Sequence, residues 1–79
     1  MTELAHRVWD KARKINGENP NMRRLDVYGT EIQKSAYGNE HSELGWNIDH
    51  IIPLARGGSD DISNLQPLSI ANNRRKADR

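Results

Sequence analysis

The chain has 79 residues, 34% of them hydrophobic, and a mean hydropathy of -0.94, so its apolar material suffices for a single small domain over residues 1–79. It contains no cysteine, which excludes a disulfide framework and a thiolate zinc site, and no apolar run approaches the roughly 20 residues of a membrane span. A net charge of +1 conceals basic ends (+3 over residues 1–24 and +3 over 69–79) around an acidic middle (-4 over 39–68), a layout that suits a cation site beside a phosphate backbone but also ordinary solvated surface.

Within the segment 1–16, residues 3–15 are predicted as a helix, because Leu4, Val8, Ala12 and Ile15 recur at helical spacing and form one apolar stripe. Thr2 is placed to cap its start and Gly17 its end. The helix reads as a lid over the core with Trp9 as a large anchor; its basic residues Arg7, Lys11 and Lys14 offer the alternative of phosphate contact. The amino terminus lacks the apolar stretch of a signal peptide, so a cytoplasmic protein without membrane contact is expected.

Residues 16–22, NGENPNM, form a loop by composition. Residues 23–38 read as a hairpin, in which Leu25, Val27 and Ile32 flank a Tyr28-Gly29 turn and Gly29 supplies the permissive backbone. From Trp46, a second core anchor, the pattern alternates: Trp46, Ile48, His50 and Ile52 fall on one face, Asn47, Asp49 and Ile51 on the other. Pro53 ends that strand, and residues 56–59 (RGGS) make a turn. A second extended piece over 65–68 carries Pro67 and is predicted at an edge. In the closing SIANNRRKADR, Ser69 stands at an N-cap and basic residues gather where the helix dipole favours them. The order over 46–78 is therefore strand, loop, strand, helix.

The string WNIDHIIPLARGGSDDISNLQPLSIANNRRKAD resembles the HNH endonuclease family, the ββα-metal nucleases. The resemblance is carried by the Asp49-His50 pair, Pro53 three residues after the His, the Gly57-Gly58 pair, Asn64-Leu65-Gln66 and the spacing from Asn73 to Lys76. The upstream R-L-D-x-Y-G-x-x-I and Y-G pieces are similar to those of short phage and bacterial members. It implies an α+β fold, a small ββα-metal core preceded by an N-terminal helix and a β-hairpin. It also implies a divalent-metal-dependent endonuclease whose partner is double-stranded DNA.

By this resemblance His50 is the general base, since a neutral imidazole can take a proton from an attacking water. Asp49 is the first metal ligand, supplying the hard anionic oxygen that Mg²⁺ or Mn²⁺ prefers. Neighbours on a regular strand point apart, so Asp49 and His50 can share a site only where the strand twists, bends or ends. Asn64 orients His50 across the connecting loop, through the ring, the backbone or both. Asn73 is the second ligand at a position where many relatives carry His, which shifts preference toward Mg²⁺ or Mn²⁺; Asn72 is its rival. The same Asp-His, Asn, Asn arrangement is found in the HNH domain of RNA-guided CRISPR nucleases.

Many relatives bracket the motif with cysteine pairs that bind structural zinc; Ser69 and Asn72 stand at the second pair's positions, so no structural zinc is expected. Stability must come instead from the upstream helix and hairpin, or from self-association. Arg56, Arg74, Arg75 and Lys76 are candidate phosphate contacts. His6 is expected to face solvent, and His41 lies in a polar loop. Two alternatives to an active nuclease stand: a DNA-binding module without turnover, and a homo-oligomer or subunit of a larger phage or restriction assembly. No separate recognition helix is visible, so strong sequence specificity is not expected.

Overall fold

The computed structural model describes residues 1–77; Asp78, the last residue of the motif string, and Arg79 lie outside the described residues. The chain runs α1 (Glu3–Trp9), β1 (Arg13–Lys14), β2 (Arg23–Leu25), β3 (Glu31–Gln33), β4 (Trp46–His50), β5 (Leu65–Ser69) and α2 (Ile70–Ala77), with short 3₁₀ turns at Lys34–Ala36, Leu54–Arg56 and Ile62–Asn64. Strands β1, β2 and β3 form one antiparallel sheet in chain order, and β4 and β5 form a second antiparallel pair. The fold is thus α+β, consistent with a small ββα-metal core.

Thr2 caps α1 as its position predicts, its hydroxyl accepting from the Ala5 amide at 3.1 Å. The helix is shorter than expected, and its buried stripe is rotated. It ends at Trp9, not Ile15, and buries Ala5, Val8 and Trp9, while Leu4 stays 43% exposed. The reason is tertiary. Lys11 and Ala12 close tight turns onto Val8 and Trp9, and Arg13 and Lys14 then pair with Leu25 and Arg24 as the edge of the first sheet. Arg24 completes the ending: buried, it donates from Nη1 to the carbonyls of Asp10 (3.0 Å) and Ala12 (3.2 Å), from Nε to that of Pro20 (2.8 Å), and lies over the Trp9 ring. The Asp10 and Ala12 carbonyls, at and just past the helix end, thereby gain a partner. Gly17 therefore caps nothing; it sits in the following loop at φ 83°.

Lys11 does not remain on a basic outer face. Its ammonium donates to the Ile62 carbonyl at 2.6 Å and to that of Leu65, tying the end of α1 to the start of β5. The core lies between these elements: Ala5, Val8, Trp9, Ala12, Ile32, Trp46 and Leu65 form one buried cluster, with Ile48 and Ile62 packed against it. Both tryptophans are fully buried, as expected of anchors, with ring centroids 5.4 Å apart. Each indole is satisfied by a carbonyl, Trp9 by Pro20 at 2.9 Å and Trp46 by Lys34 at 3.3 Å.

The hairpin turns at 26–30 with Gly29 at φ 80°, a backbone angle that glycine adopts without strain. Asp26, 2% exposed, organises it. Its Oδ1 accepts from the amides of Tyr28 (3.0 Å) and Thr30 (2.9 Å), while Oδ2 accepts from the Ser69 amide (3.0 Å) and Asn72 Nδ2 (2.8 Å). One carboxylate therefore joins the turn to the start of α2. Ser69 caps that helix as predicted, its hydroxyl accepting from the Asn72 amide at 3.1 Å. Ser69 and Asn72, at the positions where relatives hold zinc, are thus stapled by Asp26.

Candidate active site

Strand β4 delivers Asp49 and His50 at its carboxyl end. Pairing with β5 stops at His50 and Leu65, and the chain bends at Ile51 and Ile52. The two side chains keep different partners, Asp49 reaching Gln66 and Lys76 and His50 reaching Asp60. Both border one open cleft of about 370 Å³, together with Pro53, Leu54, Asn73 and Lys76.

Asp49 is 7% exposed, so its charge requires partners. Its Oδ2 accepts from Gln66 Nε2 at 2.9 Å and from Lys76 Nζ at 2.7 Å. Gln66 stands directly opposite on β5, so the ladder itself presents the amide. Lys76 Nζ also donates to the carbonyls of His50 (2.6 Å) and Ile51 (3.4 Å), so its three ammonium hydrogens meet three acceptors. Lys76, expected to grip DNA phosphate, is here also the counter-charge of Asp49.

The donor set fits a hard cation. The other oxygen of Asp49 receives no hydrogen bond from the described residues, and Asn73 lines the same cleft. Among the described residues no three His, Cys, Asp or Glu side chains gather as a metal cage. A strongly hydrated ion such as Mg²⁺ commonly takes one or two carboxylates and fills its shell with water and phosphate oxygens, so a sparse oxygen site suffices. Asn72, the rival ligand, is turned inward: it is 2% exposed, and its amide bonds Asp26, Thr30 and Arg75.

His50 meets a residue that the sequence did not single out. Its Nε2 lies 2.8 Å from Asp60 Oδ1, in the loop after the glycine pair. Asn64, expected to orient His50, makes its side-chain bonds to backbone and none to the ring. Its Oδ1 accepts from the Ile52 amide (2.8 Å), and its Nδ2 donates to the carbonyls of Ile52 (3.0 Å) and Ser59 (2.7 Å). The Asn64 carbonyl also accepts from the Ile51 amide at 2.8 Å. Asn64 thus ties the exit of β4 to the loop that carries Asp60.

Gly58 is the residue that permits this closure. A Cβ there would lie 1.8 Å from the Ile52 carbonyl oxygen and 2.9 Å from Asn64 Nδ2. Gly58→Ala is therefore expected to destabilise the protein by about 1–3 kcal/mol, the usual range for overpacking, by parting the loop from Asn64. A urea midpoint equal to that of the parent would show that the loop yields without cost.

Of the remaining predicted phosphate contacts, Arg56 projects from an exposed 3₁₀ turn. Arg74 is exposed and meets Glu40 at 3.4 Å, a surface pair of small energetic weight. Arg75 bonds the side chain of Asn72. His6 is exposed on α1, as expected, and His41 is exposed on a loop that lines a different cleft. Gln66 and Asp60 are the site neighbours that sequence reasoning missed. Gln66 was within reach, because antiparallel pairing of the two predicted strands places some residue of β5 opposite Asp49. Asp60 had no comparable signal: in the string GGSDD nothing separates it from Asp61.

A family model described as HNH endonuclease matches residues 38–79, more than half of the chain. Neither a curated protein nor a solved structure matches it.

Proposed function

The chain belongs to the HNH endonuclease family, a group of nucleases that generally use a divalent metal and act on DNA, and on that premise we propose that it hydrolyses DNA phosphodiester bonds with His50 as the general base. The observation that carries the reading is the convergence of Asp49, His50 and Asn73 on one cleft. His50 takes a proton from water as that water attacks phosphorus; the bond to the 3′ oxygen breaks, leaving a 5′ phosphate and a 3′ hydroxyl whose proton comes from solvent. Asp49 and Asn73 would hold Mg²⁺ or Mn²⁺, which supplies positive charge against the departing oxygen. Lys76 balances Asp49, and Arg56, Arg74 and Arg75 hold the DNA backbone without reading sequence.

The direct test is nicking of supercoiled plasmid with Mg²⁺ or Mn²⁺. Cleavage is expected; retained DNA binding with no cleavage under either metal would favour the binding-module alternative. Replacing Asn73 by His is the more pointed probe of the ligand assignment. Imidazole is a softer donor than an amide oxygen, so Asn73→His is expected to keep activity and extend it to Ni²⁺ or Zn²⁺. An intact fold with complete loss of cleavage would count against Asn73 as a ligand. Among the described residues no helix is long and apolar enough to cross a membrane.

A further inference from the structure

We propose that Asp60 is a positioning residue for His50: its carboxylate accepts the Nε2 hydrogen and so holds the ring with Nδ1 as the nitrogen that takes the proton from water. The proposal rests on the reading of His50 as general base. The contact is 2.8 Å long, within the range of charge-assisted hydrogen bonds. A donor at Nε2 leaves Nδ1 as the acceptor in the neutral ring. When Nδ1 takes its proton, the imidazolium lies against an ionised carboxylate that stabilises it and needs no proton itself.

The side chain of Asp60 is 83% exposed, and an exposed partner alone would hold a ring weakly. What steadies it is the backbone on both sides. Ser59, just before it, gives its carbonyl to Asn64 Nδ2 at 2.7 Å; Asp61, just after it, donates its amide to the Ser59 hydroxyl at 3.2 Å. Gly58 is held by its amide on the Pro53 carbonyl at 3.0 Å. The same Asn64 amide grips Ile52, two residues beyond His50. Asn64 therefore fixes both ends of the His50–Asp60 pair, and its orienting role, expected through the ring, the backbone or both, acts through backbone on either side of that pair.

The experiment compares the 79-residue parent chain with Asp60→Ala and, as a control for charge, Asp61→Ala. An exposed carboxylate beside a DNA site repels phosphate, so both variants are expected to bind uncut duplex as tightly as the parent or tighter, measured with Ca²⁺ in place of the catalytic metal. Only Asp60→Ala is expected to lower kcat, by about 10–100-fold, the size of loss seen when a hydrogen-bond partner that orients a metal-site ligand is removed. In ¹⁵N NMR of the metal-free protein at low temperature, a downfield His50 Nε2 proton, the mark of a hydrogen bond to a carboxylate, is expected in the parent and in Asp61→Ala, and is lost in Asp60→Ala. Parental turnover in Asp60→Ala, or persistence of that proton, would overturn the proposal while leaving the nuclease reading intact. A parent protein that cuts no DNA with any divalent metal would defeat the nuclease reading, and the role of Asp60 with it.

Discussion

His50→Ala is expected to lower the rate of plasmid nicking by about 10²–10⁴-fold, the contribution typical of a positioned general base. Metal affinity should be unchanged, because the imidazole is not among the proposed ligands and its Nε2 is turned to Asp60. Asp49→Ala should behave differently, losing metal affinity and cleavage together. A Mn²⁺ titration read alongside single-turnover nicking separates the two. Equal loss of metal binding in both variants would place His50 in the metal shell and remove it as the base.

The second large effect is on stability. Asp26→Ala removes a buried carboxylate that accepts four hydrogen bonds, from Tyr28, Thr30, Ser69 and Asn72. Hydrogen bonds to charged groups contribute about 1.5–3 kcal/mol each, not additively, and donors left buried add a desolvation cost. A loss of about 3 kcal/mol or more is expected, a large part of the 5–15 kcal/mol that holds a typical domain together. Asp26→Asn keeps the shape but weakens the acceptors, and should fall between the parent and the alanine variant. Chemical denaturation followed by circular dichroism checks this order; an Asp26→Ala midpoint within error of the parent would show that the staple is not needed. Because Asp26 also holds the amino end of α2, a destabilised variant should lose the placement of Asn73 and Lys76 on that helix.

Asp26 accepts hydrogen bonds from both Ser69 and Asn72, the two positions that the resemblance aligns with zinc-binding cysteines. The resemblance shows that the thiolates are missing and leaves open what replaces them, the upstream elements or self-association. The hairpin carries the replacement: one carboxylate, 43 residues before Ser69 and 46 before Asn72, reaches both. A small chain without cysteine must find such links between distant segments, because its apolar core alone is slight.

The sequence by itself determined the local elements of the second half. Alternation from Trp46 to His50, the proline after it, the glycine pair and the Ser69 cap are signals read over a few residues, and each describes the backbone where it stands. The family resemblance then brought Asp49, His50, Asn64 and Asn73 together as a set. Helix α1 was legible in its start and not in its end, because its cap is a nearby hydroxyl whereas its termination depends on Arg24 crossing from β2 to take up free carbonyls.

The assignment of charged side chains was decided only by the tertiary structure. Lys76 was read as a candidate phosphate contact and is the partner of Asp49; Asp60 could not be told from Asp61 and is the neighbour of His50. A charge takes its role from the charge or carbonyl that folding brings within about 3 Å of it, and that approach is set by strand register and loop closure rather than by residue type. The pair that marks the site in the sequence, Asp49 and His50, is local; the residues that hold and balance it, Gln66, Lys76 and Asp60, come from β5, α2 and the loop between the strands.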